Sequence, residues 1–301
     1  MNLKVIRLNT SSYHKSNFKL LEKKRIESLS QVQMTDKIDE AQIVISTSYS
    51  NIEKLLPYNN QIKFIIHPNS GYDNYSYDLT KKLNVPIILG NEIRAQAVAQ
   101  YVLSALMKTY NPIPIQEKWD RQFDRRPLWQ SKALIIGQGH VGKILGQSLK
   151  GIVKELHFND PYKGVRCDIG LSSFDIIILA CGLNSSSKHL VDKNFLDQCS
   201  SSVFLINPAR GGLIKTDDLF KFLADNQQAN AQLDCFEKEP FDLCLLPQNA
   251  KGTSHIAGVY DGLDDAIIDF EYSVIKSFLD ANLDYYQDQR LDTFSKEHFL
   301  A

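Results

Sequence analysis

Apolar positions along this chain fall into short β-rich runs separated by polar stretches with helical spacing. Before residue 92, the runs at 4–8, 42–46, 63–66 and 85–89 read as strands. Residues 15–25, 52–56 and 77–83 between them have the pattern of surface helices. Strand and helix alternating in this way predicts an α/β unit built on a parallel sheet. Residues 93–107 break the rhythm with a longer amphipathic helix whose stripe is Ile93, Ala97, Val98, Tyr101, Val102, Ala105 and Leu106. A proline- and charge-rich segment, 111–127, then reads as a surface connection.

A second β/α series begins at Ala133, with strands expected at 133–136, 156–159, 175–181, 203–207 and 232–236. Helices are expected at 141–150, 193–198 and 217–225, and a last amphipathic helix at 265–279 carries Ile268, Val274, Ile275 and Phe278. The first strand of this series runs into Gly137-x-Gly139-x-x-Gly142, and Asp160 closes the next apolar run 18 positions after Gly142. This arrangement suits a dinucleotide. The first glycine makes a tight turn, the second admits the pyrophosphate to the backbone, and the third lets helix and strand pack closely. The N–H groups of His140 and Val141 at the helix start would face the phosphates, and Asp160 would accept from the adenosine ribose. The pattern therefore predicts NAD as cofactor. Because the glycine turn lies mid-chain, what precedes it must be a separate unit.

Composition narrows the function further. The formal net charge of −1 gives no broad field to attract nucleic acid or an anionic membrane. No apolar run approaches the length of a membrane span, and the N-terminus lacks the apolar core of a signal peptide. Five cysteines without a Cys-x-x-Cys pair imply reduced thiols in a cytoplasmic protein, with neither a disulfide framework nor a bound metal expected.

Three later segments carry candidate chemistry. Arg210, at a strand end and followed by two glycines, suits a carboxylate because guanidinium donates two parallel hydrogen bonds. The segment 232–240 offers Asp234, Glu237 and Glu239, and residues 252–260 place His255 among small residues as a candidate general acid/base.

Taken in order, these segments resemble the D-isomer-specific 2-hydroxyacid dehydrogenase family over almost the whole chain. The likeness rests on the 69–74 loop, Ala97-Val98-Ala99-Gln100, the glycine turn and Asn207-x-Ala209-Arg210-Gly211-Gly212. It continues through Asp234-x-Phe236-x-x-Glu239-Pro240 and Ser254-His255-Ile256-Ala257-Gly258, with Arg210 and Glu239 29 positions apart. The resemblance implies two doubly wound parallel-sheet domains, a Rossmann cofactor domain (93–261) inserted into a flavodoxin-like substrate domain (1–92 and 262–301). It implies hydride transfer between NAD(H) and a small 2-ketoacid or D-2-hydroxyacid in an interdomain cleft, by a homodimer. Arg210 would hold the substrate carboxylate, His255 would exchange the proton, and Glu239 would keep His255 protonated. Asp234, Cys181, Gly182 and Ala209 match cofactor-lining positions. Asn69, Ser70 and Gly71 match the substrate loop, where backbone N–H groups hold the carboxylate.

The chain departs from the family pattern at several points. Asn69 stands where the family has glycine, Gly182 where it has proline, and Gln100 where glutamate is common. Arg94 replaces a small polar residue, so it is expected either to add a positive contact for a second anionic group of the substrate or to face solvent. Lys163 and Arg166 leave use of NADP open. Serine before His255 is similar to the phosphoerythronate dehydrogenase group, whose extra C-terminal domain is expected to be missing. The alternative function on the same fold is an NAD-sensing, corepressor-like protein. Formate dehydrogenase is disfavoured by Glu239.

Overall fold

The computed structural model describes residues 2–114, 117–119, 121, 125–281 and 283–300, so part of the expected 111–127 connection lies outside the described residues. The chain divides into two compact units: Met1–Arg94 with Val259–Ala301, and Ala95–Gly258.

In the first unit, strands β1 (Leu3–Arg7), β2 (Val32–Met34), β3 (Ile43–Ile45), β4 (Phe64–His67) and β5 (Ile87–Leu89) form a parallel sheet in the order β2-β1-β3-β4-β5. The sequence pattern missed β2, whose three residues carry too little alternation to stand out. Successive side chains in a strand point to opposite faces, so both faces here must be apolar. Val5, Ile43, Ile45, Phe64, Ile66 and Ile88 cluster with Ile26 of α1 (Phe18–Ile26) and with Val274 and Ile275 of the last long helix. Ile6, Val44, Ile65, Ile87 and Leu89 cluster instead with Leu55, with Leu79 and Leu83 of α2 (Tyr77–Leu83), and with Leu291 and Phe299 of the tail. The helix expected at 52–56 is a 3-10 helix, Ile52–Tyr58, containing Pro57. α2 is delimited by chemistry readable in sequence: Ser76 Oγ accepts from the Leu79 N–H at 3.2 Å, and Asn84 ends it with left-handed backbone at φ 50°.

The second unit opens with α3 (Ala95–Tyr110) and carries β6 (Lys132–Ile136), α4 (His140–Leu149), β7 (Glu155–Asn159), β8 (Ile176–Leu179), α5 (Lys193–Leu196) and β9 (Phe204–Asn207). α6 (Thr216–Asp225), β10 (Asn230–Leu233) and β11 (Ala250–Gly252) complete it. Its six strands are parallel, in the order β11-β10-β9-β8-β6-β7. Ala133, Ile135, Ile176, Ile178, Phe204 and Ile206 pack on the α3 and α4 side, and Leu134, Ile136, Ile177, Leu179, Leu205 and Leu233 on the α6 side. The buried stripe of α3 is Ala95, Ala99, Val102, Ala105, Leu106 and Tyr110. It is therefore rotated from the expected one: the helix starts after Ile93, and Ala97, Val98 and Tyr101 are only half-buried.

The chain re-enters the first unit before α7 (Leu263–Leu279), which packs beside α1. Arg7 on β1, Glu22 on α1 and Glu271 on α7 form a buried ionic cluster, with side chains 5%, 2% and 0% exposed. Arg7 Nε donates to Glu22 Oε1 at 2.6 Å and Nη2 donates to Glu271 Oε1, while Glu271 Oε2 makes no hydrogen bond among the described residues. Two carboxylates on one guanidinium leave an excess negative charge away from water, and such a charge is costly. Burial accordingly pushes the Glu271 carboxyl up to about 8, against the pull of Arg7 and with the repulsion of Glu22. In the unfolded chain Glu271 ionises near the ordinary glutamate value. A proton held only by the folded state stabilises fully below that value, and the benefit is lost as pH rises through the folded one. Glu271→Gln mimics the protonated form at every pH. Urea unfolding at pH 7 and pH 9 is expected to show parent stability falling relative to this variant by about 1 kcal/mol. An unchanged gap would show that Glu271 carries no extra proton.

Candidate active site

The dinucleotide turn follows β6, whose neighbours are β7 and β8. Chain order reverses around β6, and in open α/β sheets such a switch point is where ligands bind. Gly137 has φ 103°, and a Cβ there would lie 2.6 Å from the Ala180 carbonyl. A Cβ on Gly142 would lie 2.1 Å from the Gly137 oxygen, whereas one on Gly139 would meet nothing within 4 Å. Two glycines therefore permit the turn, and the third leaves open space above it. His140 and Val141 form the first turn of α4, whose N-terminus has no side-chain cap. Asp160 Oδ2 accepts the Gln138 N–H at 2.7 Å, which fixes the carboxylate beside the turn. The open cradle, the uncapped helix start and the placed carboxylate fit the pyrophosphate and ribose of NAD.

Cys181 and Gly182 follow β8. Burial pushes the Cys181 thiol up to about 12, so it is a neutral thiol rather than a nucleophile. Gly182 has open space where a Cβ would lie, and its carbonyl accepts from Ser187 Oγ at 2.8 Å.

Arg210, Glu239 and His255 come from the loops after β9, β10 and β11, three adjacent strands. Buried Asn207 braces the first loop: its Oδ1 accepts from Ala209 N at 3.1 Å and its Nδ2 donates to Arg210 O at 2.8 Å. Arg210 Nη1 donates to Ala209 O at 2.7 Å. A Cβ on Gly211 would sit 2.0 Å from the Phe236 carbonyl, so only glycine lets the arginine loop lie against the glutamate loop. Glu239 Oε1 accepts from Phe236 N at 3.0 Å, and its carboxylate takes His255 Nδ1 at 2.9 Å and 3.2 Å. With the Nδ1 proton directed at Glu239, Nε2 is the nitrogen available to a substrate. His255 and Glu239 side chains are 46% and 38% exposed.

His255 has φ 57°, a left-handed conformation uncommon for a residue with a Cβ. Asp234 holds it there. The Asp234 carbonyl accepts from His255 N at 2.7 Å. Its carboxylate, fully buried, accepts from Thr253 Oγ1 at 2.6 Å, Ile256 N at 2.8 Å and Ala257 N at 2.8 Å. Thr253 must donate to that carboxylate, so it accepts from Tyr101 at 2.7 Å, and Tyr101 accepts from Gln232 Nε2 at 2.6 Å. Sequence reasoning picked out Asp234 but missed Tyr101, Gln232 and Thr253, because nothing local marks a side-chain bond spanning 152 positions. Glu237 is structural: its Oε2 accepts from Thr216 N and its Oε1 pairs with His189 Nε2, both at 2.7 Å.

In the first unit, the loops after β1, β4 and β5 hold the remaining candidates. Asn69 keeps a negative φ, so this position does not call on the conformational freedom of the glycine it replaces. Ser70 Oγ donates to Asn91 O at 3.4 Å. The loop is braced by fully buried His67, whose Nε2 donates to the Gly71 carbonyl at 2.8 Å while Nδ1 meets Ser46 Oγ at 2.9 Å. Arg94 is half-buried and does not simply face solvent. Nη1 donates to the Pro68 carbonyl at 2.7 Å, Nη2 donates to Tyr13 Oη at 2.6 Å, and the guanidinium lies 5.4 Å from the Tyr13 ring centre.

The chain is similar to known proteins in sequence and in fold. A family model for the D-isomer specific 2-hydroxyacid dehydrogenase, NAD binding domain, matches residues 103–257. An erythronate-4-phosphate dehydrogenase of Blochmanniella floridana is 30% identical over 236 residues, which is 73% of this chain and 60% of that relative. A D-lactate dehydrogenase of Staphylococcus aureus (strain MRSA252) is 27% identical over 195 residues, 59% of either chain. The chain thus spans about 60% of the length of the curated relatives it matches. Among solved structures, an Aquifex aeolicus D-lactate dehydrogenase complexed with NAD and lactic acid superposes with a TM-score of 0.75 at 17% identity, covering 97% of this chain and all of that one. A 3-phosphoglycerate dehydrogenase from Entamoeba histolytica with bound NAD+ gives a TM-score of 0.76 at 15% identity, covering 98% of this chain and all of that one. The chain belongs to the D-isomer specific 2-hydroxyacid dehydrogenase family, and residues 103–257 are its NAD binding domain.

Proposed function

We propose that the protein is an NAD-dependent D-2-hydroxyacid dehydrogenase that reduces a small 2-ketoacid, or oxidises the corresponding hydroxyacid. The observation that carries this reading is the His255–Glu239 pair, which leaves Nε2 available at the carboxyl end of the strands that also carry the arginine loop. Held by the glycine turn and Asp160, NAD(H) would supply or accept the hydride at substrate C2. Arg210 takes the substrate carboxylate in paired hydrogen bonds and draws electron density from the carbonyl. In reduction, His255 Nε2 gives its proton to the carbonyl oxygen as the alkoxide forms, and Glu239 balances the imidazolium charge before that transfer. In oxidation, the same nitrogen takes the hydroxyl proton. Asp234 acts on this chemistry by holding the histidine loop, and with Cys181, Gly182 and Ala209 it is proposed to border the nicotinamide end.

In the first unit, the backbone N–H groups of Ser70 and Gly71 are proposed to take the substrate carboxylate and Arg94 a second anionic group, with the Asn69 N–H spent on the His67 carbonyl at 2.7 Å. Arg94 suits that task because Tyr13 and Pro68 fix its guanidinium beside the loop. The 30% identical relatives named for a phosphorylated hydroxyacid make a phosphorylated ketoacid the first dianion to try. We further propose a homodimer formed on the second unit, where Met107, Ile113, Trp119 and Trp129 are 37%, 89%, 89% and 70% exposed. A cytoplasmic location is supported by five free cysteines, and no helix among the described residues is long and apolar enough to cross a membrane.

NADH oxidation measured against a panel of 2-ketoacids is expected to show turnover with at least one member. His255→Ala should lower that kcat by at least about a hundredfold, the usual contribution of a positioned acid/base. Turnover that survives the substitution would remove His255 from its role. With Arg94→Ala, kcat/KM for a phosphorylated or dicarboxylic ketoacid is expected to fall about tenfold relative to that for a monoanionic one. Equal losses on both substrates would show that Arg94 only supports the loop.

A further inference from the structure

Two loops flank the dinucleotide turn, and both are unusually well fixed. The segment after β7 is a closed turn. Asp160 N donates to Val165 O at 2.8 Å, Val165 N donates to Asp160 O at 3.0 Å, and Pro161 and left-handed Gly164 (φ 70°) bound the single 3-10 turn between them. The segment after β8 is built on Asn184, a 7% exposed side chain whose Oδ1 accepts from Ser186 N at 3.0 Å, Ser186 Oγ at 2.9 Å and Ser187 N at 2.9 Å. Since Ser186 Oγ donates to Asn184, it is an acceptor toward Tyr162 Oη, which lies 2.7 Å away.

Because β6 lies between β7 and β8, this Tyr162–Ser186 bond spans the glycine turn. A second bond fastens the same segment to the turn itself: Lys163 Nζ donates to Gln138 O at 2.7 Å, and Gln138 N is the group held by Asp160. The Tyr162 ring remains 46% exposed, a flat apolar face held by its hydroxyl in one orientation.

We propose that residues 160–165 are a strap over the adenosine end of the cofactor site, and that the Tyr162–Ser186 tether slows release of an adenosine-bearing dinucleotide. The proposal rests on the assignment of the glycine turn to NAD. Asp160 marks the ribose side of that turn, so the tyrosine two positions later stands over the base rather than over the nicotinamide. Lys163 keeps the strap closed from its other end and places an ammonium beside the backbone that faces the pyrophosphate.

Tyr162→Phe keeps the ring and removes the donor, while Ser186→Ala removes the acceptor. Both side chains are exposed at the surface. Stopped-flow displacement of bound NADH, followed by its fluorescence in the full chain, is expected to give a roughly three- to tenfold faster release in each variant, the effect of one lost hydrogen bond. The double variant should release NADH no faster than Ser186→Ala alone, since that substitution already removes the Tyr162 bond together with the Ser186–Asn184 one. Affinity for reduced nicotinamide mononucleotide, which lacks the adenosine, should stay at the parent value. Unchanged or slower NADH release in both variants would overturn the strap, as would an equal loss of mononucleotide affinity. A parent protein that binds no NADH would overturn the strap together with the cofactor assignment, whereas parent binding with unaltered rates overturns the strap alone.

Discussion

A carboxylate with no access to water must be satisfied from within the protein, and Asp234 is such a group. Its two oxygens accept from Thr253, Ile256 and Ala257, and each of those donors belongs to the loop that presents His255. The loop therefore has little freedom to adopt another shape without leaving a buried charge unpaired. That constraint offsets the cost of left-handed backbone at His255, on the order of 1 kcal/mol. The imidazole is set by the same geometry, with Nδ1 turned to Glu239. The site's acid/base geometry is thus a consequence of how one buried carboxylate is hydrogen-bonded.

Much of this organisation is legible in sequence because its causes are local. The glycines of the dinucleotide turn are required by a positive φ at Gly137 and by the close approach of Gly142 to its oxygen, and both leave a pattern within six positions. Gly211 is similar: the motif Arg210-Gly211-Gly212 reports that backbone passes 2.0 Å from where a Cβ would stand. α2 is readable from Ser76 to Asn84 because its start and stop signals are side chains of the same segment. The stripe of α3 was misplaced because the helix has more apolar residues than it buries: Ala97, Val98 and Tyr101 fit the spacing yet are only half-buried.

What sequence does not reveal is bonding between distant segments. Arg7 and Glu271 are 264 positions apart, and neither residue type nor local pattern suggests that they meet. Gln232, Tyr101 and Thr253 become a directed series of hydrogen bonds only when β10, α3 and the histidine loop have been assembled. Arg94 reads as either a solvent-facing or a ligand-facing residue until Tyr13 and Pro68 are seen to hold it. In each case polar side chains find partners because burial forces them to, and burial is a property of the whole unit.

The way the chain passes through its two units sets an order on synthesis from the N-terminus. The second unit is a single contiguous stretch, Ala95–Gly258, so all of its strands have been made before α7 begins. The first unit is not contiguous: its sheet needs Val274 and Ile275 to cover one face and Leu291 and Phe299 to cover the other. Its early strands, together with Arg7 and Glu22, must therefore wait with exposed apolar surface while the whole inserted unit is translated. Domains generally fold as units during synthesis. Here the part of the chain made first is the last that has the residues to finish its core.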